Sequence, residues 1–253
     1  VKSNAHVGVS PSVRVGAKAN FDRGDYRQNL GSRWSRYDRY PFQSSWFNVH
    51  IGNNNSNNWR WQRGWNSYPS YWSWRPAVWT SFNPWFSWNW NSPYRYAYGD
   101  NIYYRDNYVY YGEQRYAPAT VYYTQASDIA RAVPTTVDAD AIDWMPLGVF
   151  AVVSSDPSKS NTISLQLAIS KEGIIAGTYY DETDDISRPL EGMVDQKTQR
   201  AAWGFADGKD QDVIFETGIY NLTLEESSLL IHFGPEETQA FTLLRLEQPA
   251  DAR

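Results

Sequence analysis

From Trp144 to Leu246 the chain repeats one pattern: a short β-prone run, a turn, then another run. The turns are polar and compact, as in Lys171-Glu172-Gly173, Gln196-Lys197, Asp207-Gly208-Lys209-Asp210, Glu226-Ser227 and Gly234-Pro235-Glu236-Glu237. The runs between them predict strands at 148–153, 162–170, 174–180, 190–195, 199–206, 212–217, 219–225, 228–233 and 239–246. Eight or nine short strands joined by hairpins predict an up-and-down antiparallel barrel or a strongly curled sheet, and hence a mainly β protein. Within the second run Ile163, Leu165, Leu167 and Ile169 alternate, which predicts one buried face and one wet face.

What precedes this domain is different in kind. Residues 31–98 hold eleven of the 13 tryptophans, namely Trp34, Trp46, Trp59, Trp61, Trp65, Trp72, Trp74, Trp79, Trp85, Trp88 and Trp90, interleaved with Asn, Ser, Tyr and Arg. No helical period survives, and Pro41, Pro69, Pro76, Pro84 and Pro93 interrupt any long helix or central strand. Trp and Tyr combine a large apolar face with a polar edge and suit half-wet contacts. Ordering the backbone of such an irregular arm costs about 1–2 kcal/mol per residue, so it needs a large surface to lie on. That surface is either its own barrel or a neighbouring copy, and the expectation is the second.

The flanking segments are simpler. Residues 1–30 read as a polar tail, although Val7-Gly8-Val9 and Val13-Arg14-Val15 have the spacing to add a strand to a sheet edge. Asn101-Ile102-Tyr103-Tyr104 and Asn107-Tyr108-Val109-Tyr110-Tyr111 predict a small hairpin or meander. A short helix is predicted over 124–133, with Thr124 or Ser127 as its cap and Pro134 as its stop. The unit 99–133 is joined to the 144–247 domain by an acidic linker, 134–143, and 248–253 is a tail.

Charge divides the same way. Residues 1–120 carry 14 Lys and Arg against 6 Asp and Glu (+8), whereas the rest carries 9 against 22 (−13). Opposite halves of opposite sign favour head-to-tail contact between copies, with Arg33, Arg36, Arg39, Arg60, Arg63 and Arg75 of the arm as the cationic partners. Together with the tryptophans these arginines are the candidate assembly or glycan contacts, since aromatic faces stack on sugars while Arg, Asn and Ser reach hydroxyls. Nucleic acid is not expected as a partner of an acidic exported chain. The start at Val1 and the lack of an apolar run of about 18 residues are read as a secreted, mature chain without a transmembrane segment.

The stretches Trp144-Met145-Pro146-Leu147-Gly148-Val149-Phe150, Gly173-Ile174-Ile175-Ala176-Gly177-Thr178-Tyr179-Tyr180, Lys197-Thr198-Gln199-Arg200-Ala201-Ala202-Trp203 and Ile231-His232-Phe233-Gly234-Pro235 carry a family resemblance. They resemble the C-terminal domain of planctomycete-type bacterial cell-surface proteins that bear the label mu-protocadherin-like. The resemblance covers roughly residues 95–247, and the arm matches by composition alone. It implies export and a cell-surface setting. Calcium-dependent adhesion is not adopted, because the acidic linker motifs of a cadherin repeat are missing.

Chemistry leaves little trace in the sequence. There is no cysteine, no Gly-x-Ser-x-Gly, no phosphate-binding glycine loop and no dinucleotide fingerprint. His6, His50 and His232 are far apart and read as ordinary residues. The acidic groups Asp181, Glu182, Asp184, Asp185 and Asp207, Asp210, Asp212 lack the pattern of a calcium loop and read as solvated turns. The expectation is therefore a non-enzymatic protein without metal or cofactor, a self-assembling structural subunit of a filament or layer. A carbohydrate-binding or cell-wall adhesion module is the alternative.

Overall fold

The computed structural model describes residues 12–14, 41–42, 46, 71–138, 141–156 and 161–248. In chain order the strands are β1 (Ser12–Arg14), β2 (Ile102–Arg105), β3 (Tyr108–Tyr111), β4 (Gln114–Pro118), β5 (Trp144–Ser154), β6 (Ile163–Ser170), β7 (Ile174–Asp181), β8 (Ile186–Val194), β9 (Arg200–Phe205), β10 (Val213–Gly218), β11 (Glu226–Phe233) and β12 (Glu237–Leu246). Strands β5 to β12 pair antiparallel in sequence order, and β12 closes on β5 from Phe241↔Ser154 to Leu246↔Val149. The barrel is closed, which leaves no edge along most of its length. Beyond Phe241 strand β5 no longer reaches, and there β1 pairs parallel with β12, from Ser12↔Glu237 to Arg14↔Gln239. One of the two N-terminal alternations thus adds a strand where the closure leaves an edge.

One expected strand is not a strand. Residues 219–225 contain a 3-10 turn, Tyr220–Thr223. Asn221 explains it: its buried amide nitrogen donates to Tyr96 O (2.7 Å), Thr217 Oγ1 (2.8 Å) and Ser228 O (3.2 Å), while its oxygen accepts from Tyr96 N (3.2 Å). A side chain that satisfies so many backbone groups stands in for a ladder and lets the chain turn. The turn carries Ile219 and Leu222 into the core.

The interior is filled by Leu147, Phe150, Leu165, Leu167, Trp203, Phe215, Leu229 and Leu243 among others. One mouth is plugged by the end of the arm, where Phe82, Phe86 and Trp90 join the same core and Trp79, Trp85 and Trp88 pack against it. Phe86 stacks on Trp88 (4.5 Å, 9°), and the Trp90 indole donates to Gln196 O (2.8 Å) in the β8–β9 turn. At this mouth Arg245 donates to Leu147 O (2.8 Å) and Leu222 O (2.6 Å). At the other, the Arg188 guanidinium lies over Phe205 (3.4 Å) and bonds Asp207 and Asp210 (2.8 Å each).

The expected wet face is covered. On β6 the outward residues Ser164, Gln166, Ala168 and Ser170 are all buried. Trp72 packs with Trp144, Ala168, Ile174 and Ala176, and Phe42, Trp46 and Trp74 pack with Val149, Ala151, Tyr180 and Leu244. Val133 and, from the linker, Val137 and Ile142 pack against the Trp72 cluster. Alternation therefore marks which side chains enter the barrel, but the arm decides that the other set is dry as well.

Strands β2, β3 and β4 form a separate three-stranded sheet, followed by helix α1 (Ala119–Arg131). The helix begins five residues earlier than its sequence suggests, directly after Pro118. Val121, Tyr122 and Tyr123 favour strands in isolation. Here Tyr122, Tyr123, Ala126 and Ala130 share one helical face and are buried, the last three against Ala202 and Ile214. Tertiary burial overrides propensity.

Candidate functional site

The β2–β4 sheet and helix α1 form a cap on the barrel wall, and four adjacent strands each contribute one polar side chain beneath it: Arg200 from β9, Glu216 from β10, His232 from β11 and Thr238 from β12. Glu216 Oε1 accepts from Arg200 Nε (2.9 Å), Tyr122 OH (2.8 Å) and Tyr98 OH (3.1 Å), and Oε2 meets His232 Nε2 (3.0 Å). An ionised carboxylate only accepts, so Nε2 carries the proton. His232 Nδ1 lies 2.8 Å from Thr238 Oγ1. Arg200 also donates to Gln125 Oε1 (2.9 Å) and Tyr122 O (3.3 Å), with its guanidinium over the Tyr122 ring (4.0 Å).

Burial by itself would raise the Glu216 carboxyl, but the Arg200 charge and the Arg200 and His232 hydrogen bonds outweigh it and hold it at about 2. Burial pushes the Tyr98 and Tyr122 phenols well up, with the Glu216 charge adding to it, so both stay protonated and donate. Burial lowers Arg200, yet Glu216 reverses this and its guanidinium is raised overall. Thr238, His232 and Glu216 follow one another as hydroxyl, imidazole and carboxylate do in a nucleophilic triad. All three are buried, and Glu216 is saturated by Arg200 and two tyrosines. The set works as a staple between the barrel and its cap.

No family model, curated protein or solved structure matches the chain. Function must therefore be argued from the molecule.

The arm residues singled out in the sequence divide into two groups. Trp46, Trp72, Trp74 and Trp90 are buried, and Trp79, Trp85 and Trp88 half-buried, all against the chain's own barrel. Arg75 is exposed beside them. Trp34, Trp59, Trp61 and Trp65, with Arg33, Arg36, Arg39, Arg60 and Arg63, lie outside the described residues. Of the acidic clusters, Asp207 and Asp210 share the one Arg188 guanidinium, and Asp181 caps its own turn by accepting from Thr183 N (3.0 Å) and Thr162 Oγ1 (3.0 Å).

The outer face of the β2–β4 sheet lies outside the contact residues expected from the sequence. Ile102, Tyr104, Val109 and Tyr111 point toward the barrel, so Tyr103, Arg105, Tyr108, Tyr110 and Arg115 point away. Tyr103 and Tyr110 stack across the ladder (5.3 Å, 2°). Arg105 lies over Tyr110 (4.4 Å) and Arg115 over Tyr108 (4.7 Å). Neither arginine pairs with a carboxylate among the described residues. In the sequence this face is marked by period-two spacing, at Tyr103 and Arg105 and at Tyr108 and Tyr110.

Proposed function

We propose that the protein is a non-enzymatic structural subunit, exported to a bacterial cell surface, whose copies associate head to tail. The observation that carries this reading is the Tyr103, Arg105, Tyr108, Tyr110 and Arg115 face. Its rings hold two guanidiniums in place, exposed and without an acidic partner among the described residues. Residues 121–253 carry the complementary charge of −13. Each guanidinium is held on its ring by about 0.5–1 kcal/mol, as for an exposed cation–π contact, so it gives up little freedom on meeting a carboxylate. Trp34, Trp59, Trp61 and Trp65, with Arg33, Arg36, Arg39, Arg60 and Arg63, are further contact candidates on composition alone. The resemblance of residues 95–247 to bacterial surface proteins supports the location.

Sedimentation velocity on the full chain tests it. Wild type should form oligomers that grow with concentration, and the R105E/R115E double variant, with unchanged circular dichroism, should sediment as a monomer. A monomeric wild type, or a double variant that associates as the parent does, defeats the proposal.

A further inference from the structure

A second surface feature lies where the arm crosses the β8–β9 turn. A cleft of about 330 Å³ is lined by Tyr94, Tyr96, Tyr111, Tyr116, Lys197 and Gln199 among others. This volume is at the small end of ligand pockets, the scale of one or two sugar rings. Tyr94 and Tyr116 are 37% and 46% exposed. Tyr111 lies between them, 6.3 Å from Tyr94 and 4.6 Å from Tyr116, so three rings form a trough.

Four contacts hold the trough rigid. Gln199 Oε1 accepts from Tyr94 N (2.9 Å), and Gln199 Nε2 donates to Ser92 O (2.8 Å). Tyr116 OH donates to Gln125 Oε1 (3.2 Å), the oxygen that also accepts from Arg200, and Tyr111 OH lies 3.3 Å from Tyr122 OH. Through these last two contacts the trough rests on the buried Glu216 node, so its rings are set before any ligand arrives. Burial pushes the Tyr111 phenol up to about 12. At the rim stands Lys197, exposed, with no carboxylate partner among the described residues.

Aromatic faces beside polar groups suit the C–H face of a pyranose, and an unpaired ammonium at the rim suits an anionic substituent. We infer that this cleft binds a pyranose carrying a carboxylate, a uronic acid unit. The site shares no residue with the Tyr103–Arg115 face, so it stands whether or not copies associate.

Isothermal titration of the full chain with trigalacturonic acid, and with its fully methyl-esterified form, tests the inference. The ester keeps the sugar faces and removes the charge. The acid should bind more tightly than the ester, by about threefold, as expected for one exposed charge pair. Tyr116→Ser should weaken both about tenfold, the loss of one stacking face. Lys197→Gln should bring the acid down to the level of the ester and leave the ester unchanged. R105E/R115E should bind the uncharged ester as the parent does, which separates this site from the self-association surface. No binding of either trisaccharide, equal binding of acid and ester by wild type, or unchanged binding by Tyr116→Ser with native circular dichroism would each overturn it.

Discussion

Glu216→Gln removes the negative charge on which Arg200, His232 and two phenols converge. It leaves a guanidinium buried without its counter-ion, which costs about 3–5 kcal/mol, and urea unfolding should show that loss at pH 7. The carboxyl sits at about 2 in the fold against an ordinary 4.5. A depressed carboxyl stabilises the fold fully above its unfolded value and loses that contribution as pH falls from 4.5 toward 2. The difference in unfolding free energy between wild type and Glu216→Gln should therefore shrink across that window. Gly148 is the second sensitive position: its φ is +122°, and an added Cβ would overlap the Arg245 guanidinium. Gly148→Ala should cost about 2 kcal/mol or more, read from thermal melting. Neither site stood out in the sequence. Glu216 is one carboxylate within an ordinary strand, and nothing near it in the chain says that residues from two other strands, helix α1 and the arm will meet there.

At the scale of elements the plug is the part to test. Phe86 is buried at the barrel mouth between Phe82, Trp88 and Trp90. Phe86→Ala should lower stability by about 3–5 kcal/mol in denaturant unfolding, as for other buried aromatic residues. Gly173→Ala reports on the same docking, because φ is +85° and an added Cβ would stand 2.8 Å from Trp88 Cη2. The eight barrel strands were legible because hairpin turns and alternation are local signals. The run at 219–225 reads as a strand from its apolar residues, whereas the buried amide of Asn221 makes it a turn. The start of α1 was misplaced for a related reason: Tyr122 and Tyr123 favour strands until a barrel wall offers them a helical face.

For the whole molecule the described part of the arm, Phe42, Trp46 and residues 71–98, belongs to the core. A chain lacking residues 71–98 should expose the barrel mouth and the Trp144 and Tyr180 faces. It should bind a hydrophobic dye strongly and melt well below the full chain, and a native-like melting curve would show that the barrel stands alone. Association, where it occurs through Arg105 and Arg115, should weaken as salt rises past about 0.15 M, since exposed charges are screened over roughly 8 Å. Sedimentation at two ionic strengths measures this.

The sequence alone determined an antiparallel series of strands that curls or closes, because its runs are joined by turns of a few residues and the 163–169 run alternates. That it closes, β12 on β5, was decided by the tertiary structure. The sequence also determined that the chain is divided into a basic aromatic half and an acidic β half. Only the tertiary structure decided where the described tryptophans lie. An indole with one wet edge fits a neighbouring copy and its own barrel equally well, and the choice depends on surfaces brought together by contacts more than sixty residues apart. The same long-range meeting made Glu216, Arg200 and His232 a buried staple.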